Sequence, residues 1–288
     1  MSDLLEPFQF AFFRHGLIVA TLAGALCGLV GVYVTLRGMS YIGHGLSHAI
    51  FGGAAASAVV SFNFYLGAGI WGVASALLIG RITRRRVIGA DAAIGVVTTA
   101  SFALGLALLN RFGQVRKSVD AALFGSILGV SVTDVWVVAG VTALAAAVVF
   151  ACYRPLLFTT FDPDVAEASG VRTARIDALL MSLLAVSILA TMKVLGVVLI
   201  AATLVIPATV ARMLTNSFAR LLGLSVAIGA ACGFVGMVLS YHLDISSGAS
   251  IVLVGAVLFG LVFALTGARG RRRAAAIETL GASAHAGA

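Results

Sequence analysis

Residues 16–36 read Gly16-Leu-Ile-Val-Ala-Thr-Leu-Ala-Gly-Ala-Leu-Cys-Gly-Leu-Val-Gly-Val-Tyr-Val-Thr-Leu36, without a single Asp, Glu, Lys or Arg. About 20 such residues are what an α-helix needs to cross the hydrocarbon core of a bilayer. Runs of comparable character recur at about 41–61, 64–80, 92–110, 134–152, 176–192, 194–213, 219–241 and 248–267. The sequence therefore predicts an all-α, polytopic membrane protein.

Composition agrees with this fold class and excludes several others. Of the 288 residues, 61% are hydrophobic and 10% are charged, which is far from a soluble chain. The net charge of +8 comes from basic clusters between apolar runs, chiefly 81–86 and 269–273. Such clusters indicate cytoplasmic loops and do not suggest nucleic-acid binding. The three cysteines are widely spaced in apolar stretches, which predicts buried thiols and neither disulfides nor a thiolate metal site.

The number of crossings depends on residues 38–80. This stretch is rich in glycine, and Asn63 interrupts it. One crossing plus a broken or re-entrant helix gives eight crossings with both termini inside, which we favour; two full crossings give nine, with the N-terminus outside. The run Phe124-Gly-Ser-Ile-Leu-Gly129 is too short to span and is interpreted as re-entrant or interfacial. Residues 1–267 form the membrane domain, and 268–288 form a basic cytoplasmic tail that we expect to be disordered.

Two histidines stand out within this apolar chain. His44 and His48 lie four residues apart in Met39-Ser-Tyr-Ile-Gly-His-Gly-Leu-Ser-His-Ala49, so a helix places both imidazoles on one face. Ionisable side chains at membrane depth are costly and usually mark a substrate path, and imidazole suits first-row transition metals. The pair therefore suggests a divalent metal, while hydrogen bonding between helices is the alternative.

The polar connection 153–175 is the longest between apolar runs. Asp162-Pro163 is typical of an N-cap followed by proline in the first helical turn, and Gly170 is placed to end the short helix. Three arginines put the connection in the cytoplasm, namely Arg154, Arg172 and Arg175. This helix is a candidate docking element for a soluble partner, with a plain surface turn as the alternative.

Motifs for catalysis are not found in the sequence. There is no Gly-x-x-x-x-Gly-Lys-Ser/Thr phosphate loop and no Gly-x-Ser-x-Gly. His44 and His48 have the spacing of a zinc-protease helix, but Gly45 occupies the position of the glutamate that would act as base. We therefore predict no enzyme, no catalytic residues and no intrinsic cofactor.

Several motifs together resemble the zinc/manganese/iron ABC-transporter permeases over about residues 10–267. The matching segments are Leu36-Arg-Gly-Met-Ser-Tyr-Ile-Gly-His-Gly-Leu-Ser-His-Ala49, Asp91-Ala-Ala-Ile-Gly95, Leu123-Phe-Gly-Ser-Ile-Leu-Gly-Val-Ser131, Phe161-Asp-Pro-Asp164, Gly196-Val-Val-Leu-Ile-Ala-Ala-Thr-Leu-Val-Ile-Pro-Ala-Thr-Val-Ala-Arg212 and Ser240-Tyr-His-Leu-Asp-Ile-Ser-Ser-Gly-Ala-Ser-Ile-Val-Leu253. Each motif alone is weak, and their order and spacing together make the resemblance specific.

The resemblance implies a permease dimer in a prokaryotic plasma membrane, surrounded by lipid. It would receive zinc or manganese from an extracytoplasmic metal-binding protein and be driven by cytoplasmic ABC ATPases. In that frame the helix in 153–175 resembles a coupling helix, with the residues Phe161, Asp162, Pro163, Asp164, Glu167 and Gly170. Pro207 resembles a proline of the family and is expected to kink its helix for gating.

The family's intramembrane motif is usually Asp-x-x-x-His, so His48 matches its histidine and His44 replaces the acidic residue. Imidazole in place of a carboxylate favours zinc over manganese. His242 and Asp244, at the outer end of a late span, are a candidate entry site, with an interfacial anchor as the alternative.

The sequence thus predicts the membrane subunit of an ATP-driven importer of divalent metal ions. The main alternative is a stand-alone metal transporter coupled to protons through His44 and His48. A membrane enzyme or a metal-sensing receptor is a further alternative, but it would need a catalytic base or a soluble signalling domain, and neither is recognisable.

Overall fold

The computed structural model describes residues 6–85, 88–112 and 130–286, and every regular element within these ranges is helical. A short 3₁₀ helix, Glu6–Gln9, precedes the α-helices. These are α1 (Ala11–Leu36), α2 (Ile42–Val59), α3 (Phe64–Arg84), α4 (Ala90–Phe112), α5 (Val132–Ala151), α6 (Tyr153–Phe161), α7 (Pro163–Ala168), α8 (Thr173–Leu195), α9 (Ile200–Leu214), α10 (Phe218–Leu243) and α11 (Ser247–Ala286).

Seven helices are long and apolar enough to cross a membrane, namely α1, α3, α4, α5, α8, α10 and the part of α11 at Ser247–Thr266. Two further helices of the bundle do not meet this standard. Helix α2 has 18 residues and is made more polar by its two histidines, and α9 has only 15 residues. The architecture confirms the predicted all-α polytopic fold of about eight crossings.

Helix α1 lies at the centre of the bundle and packs most extensively against α10, with α9, α5 and α8 also in contact. Its glycines let the neighbouring backbone come close: a β-carbon at Gly24 would overlap the carbonyl oxygen of Gly229, and the reverse also holds. One turn further along, the hydroxyl of Ser225 donates to the Gly28 carbonyl at 2.6 Å. Small residues are what close helix packing in lipid requires.

Residues 38–80 form two separate helices, of which only α3 meets the standard for a crossing, and a re-entrant course of α2 stays a prediction. Asn63 begins α3, because its side-chain oxygen accepts from the backbone N–H groups of Tyr65 and Leu66 at 3.1 Å. The backbone leaves the helical path at residues 196–199, the connection between α8 and α9 that we call the break, where Gly196 has a φ of 77°. The glycines of α2 serve helix packing, and their density alone did not identify a break.

Gly196 and Val197, at the start of the break, are buried, and free carbonyl groups in buried backbone need donors. The hydroxyl of Ser247, at the start of α11, donates to the Val194 carbonyl at 2.9 Å. The hydroxyl of Ser47, in α2, donates to the Val197 carbonyl at 2.8 Å. The carbonyl groups at the break thus accept hydrogen bonds from side chains of two other helices, α11 and α2.

An ion pair lies at each end of the bundle. At one end Arg84, the last residue of α3, pairs with Asp177 in the first turns of α8, and α6 and α7 lie beside them. At the opposite end Lys193 pairs with Asp134 at 2.6 Å. The predicted cytoplasmic segment 153–175 and residues 81–85, the described part of 81–86, therefore share one end, which the positive-inside bias assigns to the cytoplasm.

The remaining sequence predictions are met to different extents. All three cysteines are free, with Cys27 and Cys232 buried and Cys152 half-buried. Pro207 lies inside α9, and its gating role stays a prediction. The run 124–129 lies outside the described residues. Helix α11 continues to Ala286, and the division of the chain at residue 267, with a separate disordered tail, stays a prediction.

We expect Gly229→Ala to destabilise the bundle, because the added methyl group meets the backbone of α1 and nothing flexible can yield. Overpacking of this kind costs about 1–3 kcal/mol. The matched control is Gly223→Ala in the same helix, where a β-carbon meets nothing within 4 Å. Thermal unfolding in detergent measures both variants, and equal melting temperatures would contradict this account of the α1–α10 contact.

Candidate metal site

Helix α2 presents two imidazoles side by side. The ring centroids of His44 and His48 are 4.5 Å apart, with the ring planes at 81° to each other. Both side chains are half-buried, although most of α2 around them is buried. The shared helix face predicted from the spacing is confirmed, and the role of the pair as a metal site stays a prediction.

Aromatic rings flank the pair on both sides. The ring of Phe102, from α4, stands edge-on to His48 with centroids 4.9 Å apart. Tyr41, at the N-terminal end of α2, lies 5.5 Å from the His44 ring. Among the described residues, the Nδ1 atom of His48 is buried and has no hydrogen-bond partner. A buried imidazole nitrogen without a partner fits a group that binds a metal for part of the time.

The glycines of α2 fix which side of the helix remains open. Gly45 and Gly52 lie directly against α4, and a β-carbon at Gly52 would overlap the backbone of Ser101. Gly43 lies against Leu204 of α9. Since an α-helix turns about 100° per residue, the histidine face lies between the α4 side and the α9 side. Neighbouring helices cover the other faces of α2, whereas the face that carries His44 and His48 is covered only in part.

Ser47 ties the same helix to the break at 196–199. Its hydroxyl, which is buried, lies 2.8 Å from both the Val197 carbonyl and the His44 carbonyl in its own helix. The position of the histidines is therefore linked to the irregular backbone between α8 and α9.

His242 and Asp244 lie elsewhere. Both are exposed at the end of α10, opposite the end that carries α7. The Nδ1 atom of His242 is 2.9 Å from the Val238 carbonyl, and Asp244 ends the helix in a left-handed conformation with a φ of 53°. No group of three or more His, Cys, Asp or Glu side chains within the described ranges is arranged to hold a metal. The structure thus unites His44 with His48, but it does not join the outer pair to them.

Sequence reasoning did not identify the residues that surround the two histidines. Tyr41 could have been recognised, since it precedes His44 by three residues and so shares its face. Phe102 carries no such signal, because its contact with His48 depends on how α2 and α4 cross. Ser47 is likewise explained only by the position of Val197.

The short helix predicted after Asp162 exists as α7, and its docking role stays a prediction. The Asp162 side chain caps it by accepting from the Val165 N–H at 2.9 Å, and Gly170 follows it with a φ of 83°. All six residues predicted for docking are exposed, namely Phe161, Asp162, Pro163, Asp164, Glu167 and Gly170. A further helix, α6, leads into this segment and was not predicted.

Comparisons of this chain with a family model and with known proteins agree with one another. Residues 9–266 match the ABC 3 transport family. The chain is 37% identical over 267 residues to the manganese transport system membrane protein MntC of Halalkalibacterium halodurans, with 91% of each chain covered. It is 38% identical over 257 residues to the manganese import system permease protein ScaB of Streptococcus parasanguinis, covering 88% of this chain and 91% of that one.

A solved structure described as PsaBC from Streptococcus pneumoniae in complex with Fab has the same fold. Its matched chain superimposes with a TM-score of 0.81 at 34% identity, covering 91% of this chain and 95% of that chain. The similarity extends across the whole membrane bundle and includes both α2 and α7.

The bond from Ser47 to the Val197 carbonyl gives a test of the link between α2 and the break. We expect Ser47→Ala to lower the free energy of unfolding by about 1–3 kcal/mol, because a buried carbonyl loses its donor. Ser57→Ala is the control on the same helix, since the Ser57 hydroxyl only bonds back to Gly53 one turn earlier. If the two variants unfold at the same temperature in detergent, the bond does not stabilise the break.

Proposed function

Because this chain belongs to the ABC 3 transport family, we propose that manganese passes through it by way of His44 and His48. The chain is the membrane-spanning permease of an importer for divalent transition-metal ions. The observation that carries the site is the pair of imidazoles 4.5 Å apart on the open face of α2, with a buried nitrogen of His48 unpaired among the described residues. The protein is a multi-pass component of a bacterial plasma membrane.

Manganese is the first candidate because MntC and ScaB are named for its transport. Zinc is the second candidate, and the imidazole pair itself supports it, since Zn²⁺ binds nitrogen ligands more readily than Mn²⁺ does. A carboxylate at position 44 would favour manganese, so His44 is the residue that decides between them.

Two imidazoles leave either ion short of ligands. Water and a second copy of this chain are the natural sources of the others, because the histidine face is the side of α2 that α4 and α9 leave open. We infer a homodimer with this face towards its centre. A site completed by water binds weakly, as passage through a membrane requires.

The partners follow from the two ends of the bundle. We infer that a separate ATPase docks on α7 at the basic end, where the residues of the segment are exposed. An extracytoplasmic metal-binding protein would deliver the ion at the opposite end, where His242 and Asp244 are exposed. Membership of an ABC family does not favour a stand-alone proton-coupled transporter.

We expect His48→Ala to abolish metal uptake without loss of assembly, because it removes one of the two proposed ligands from the face of α2 that is covered only in part, where the His48 ring contacts Phe102 at its edge. His44→Asp should raise the ratio of manganese to zinc uptake. In the unaltered protein, uptake should decline in acid, since a protonated imidazole cannot bind a metal.

Uptake of radioactive manganese and zinc into proteoliposomes containing the whole transporter measures these effects. His15→Ala, which removes a half-buried histidine from the start of α1, is the control and should leave uptake unchanged. Normal uptake of both metals by a variant carrying His44→Ala and His48→Ala would show that the rings only serve helix packing.

We expect Asp164→Lys together with Glu167→Lys to release the ATPase while the membrane bundle stays folded, because both side chains are exposed on a six-residue helix outside the bundle. Co-purification of the ATPase with the permease gives the readout. Glu6→Lys reverses an exposed charge at the opposite end and should not affect docking. An ATPase that still co-purifies and remains coupled to transport after the double reversal would place docking elsewhere.

A further inference from the structure

We propose that Asp177 is the positioning residue that transmits movement of α7 to the histidine helix α2. The proposal rests on the docking of an ATPase at α7, and it names the side chains that carry the resulting motion. Asp177 lies in the first turns of α8, away from both the histidines and the exposed docking residues.

One oxygen of the Asp177 carboxylate holds the turn that leads into α2. The Nη1 atom of Arg37 lies 2.7 Å from Asp177 Oδ1, and the Arg37 side chain is only 10% exposed. The same guanidinium donates to the hydroxyls of Thr159 at 3.0 Å and Thr160 at 3.3 Å, both in α6. The almost buried guanidinium of Arg37 thus links the α1–α2 turn to α6 and α8 through hydrogen bonds and an ion pair.

The other oxygen of Asp177 leads back towards α7. Arg84 Nη1 lies 3.2 Å from Asp177 Oδ2, and Arg84 Nη2 lies 3.2 Å from the hydroxyl of Thr173. That hydroxyl lies 3.5 Å from Glu167 Oε2 in α7. The connection from α7 to Arg37 therefore passes through polar side chains, and its only carboxylate between the two arginines is Asp177.

The turn after Arg37 is rigid enough to carry a displacement. The Met39 N–H donates to the Val34 carbonyl at 3.0 Å, and the Ile42 N–H donates to the Met39 carbonyl at 2.9 Å. His44 follows in the first turn of α2. A shift of the Arg37 side chain is therefore passed to the backbone that positions the histidine.

Space for such a shift exists beside these residues. A cavity of about 220 Å³ lies between the α1–α2 turn and α7, lined by Arg37, Thr83, Thr159, Pro163 and Asp177 among others. Pro163 is the first residue of α7. Because the cavity is not filled by side chains, the arginines can exchange partners without overlapping a packed core.

The charges explain why the link depends on Asp177. Removing the carboxylate leaves two guanidinium groups close together without their shared anion, and Arg37 is almost buried. The two arginines would then separate, and α2 would no longer follow the segment that contacts the ATPase. A network with two discrete arrangements is the kind of element that couples distant sites.

The test is the number of metal ions transported per ATP hydrolysed, measured with manganese in proteoliposomes that contain the complete transporter. We expect Asp177→Asn and Arg37→Gln each to lower this number by about tenfold while hydrolysis stays within about twofold of the original rate. Because both residues belong to one link, a variant with both substitutions should lose no more than the worse single variant.

Arg81→Gln is the control, since Arg81 is exposed one turn before Arg84, lines a groove beside Asp177, and does not belong to the hydrogen bonds and ion pairs described above. Arg84→Gln provides a second route if Asp177→Asn does not assemble. This substitution removes only the partly exposed ion pair between Arg84 and Asp177 and the neighbouring bond to Thr173. It should also lower the number of ions transported per ATP.

The outcomes separate this proposal from the proposed function. If the unaltered chain binds no ATPase, docking at α7 is wrong. If docking occurs and the number of ions per ATP is unchanged in Asp177→Asn or in Arg84→Gln, the link through Asp177 is overturned. Losses that add in the double variant, or an Asp177→Asn chain that folds but no longer binds the ATPase, would also overturn it.

Discussion

The closeness of helix backbones in lipid is the constraint on which the rest of this structure depends. Lipid tails give apolar side chains no reason to prefer protein over membrane, so the bundle is held by close packing. Gly24 and Gly229 allow this between α1 and α10, and Gly45 and Gly52 allow it between α2 and α4. The second contact also decides which face of α2 stays open, so packing and the location of the histidines have the same origin.

The fold could be predicted from the sequence to the extent that it depends on local signals. Apolar length identified the spans, and Asp162-Pro163 identified the start of α7, because capping uses neighbours along the chain. The irregular backbone at 196–199 was not predicted, for the opposite reason. The carbonyls at 194 and 197 are satisfied by Ser247 and Ser47, and no local pattern shows that distant serines will supply these donors.

The candidate site shows the same division. The shared face of His44 and His48 follows from the helical period and was predicted. Phe102 beside His48, and the pairing of Arg37 with Asp177 across 140 positions of sequence, follow from how helices cross. Arg37 lay within a segment already recognised as similar to metal permeases, but its partner required the three-dimensional structure.

The aromatic edge of Phe102 has a consequence for how an ion would be held. With that ring at 4.9 Å from His48 and α4 against Gly45, the side of the imidazole pair that faces α4 is covered. An ion bound from one side keeps part of its hydration shell on the other, so it neither gives up all its water on arrival nor must regain it on leaving. A site that binds a partly hydrated ion favours rapid release over tight binding. Its selectivity among ions of equal charge then depends on how readily each ion exchanges its water ligands.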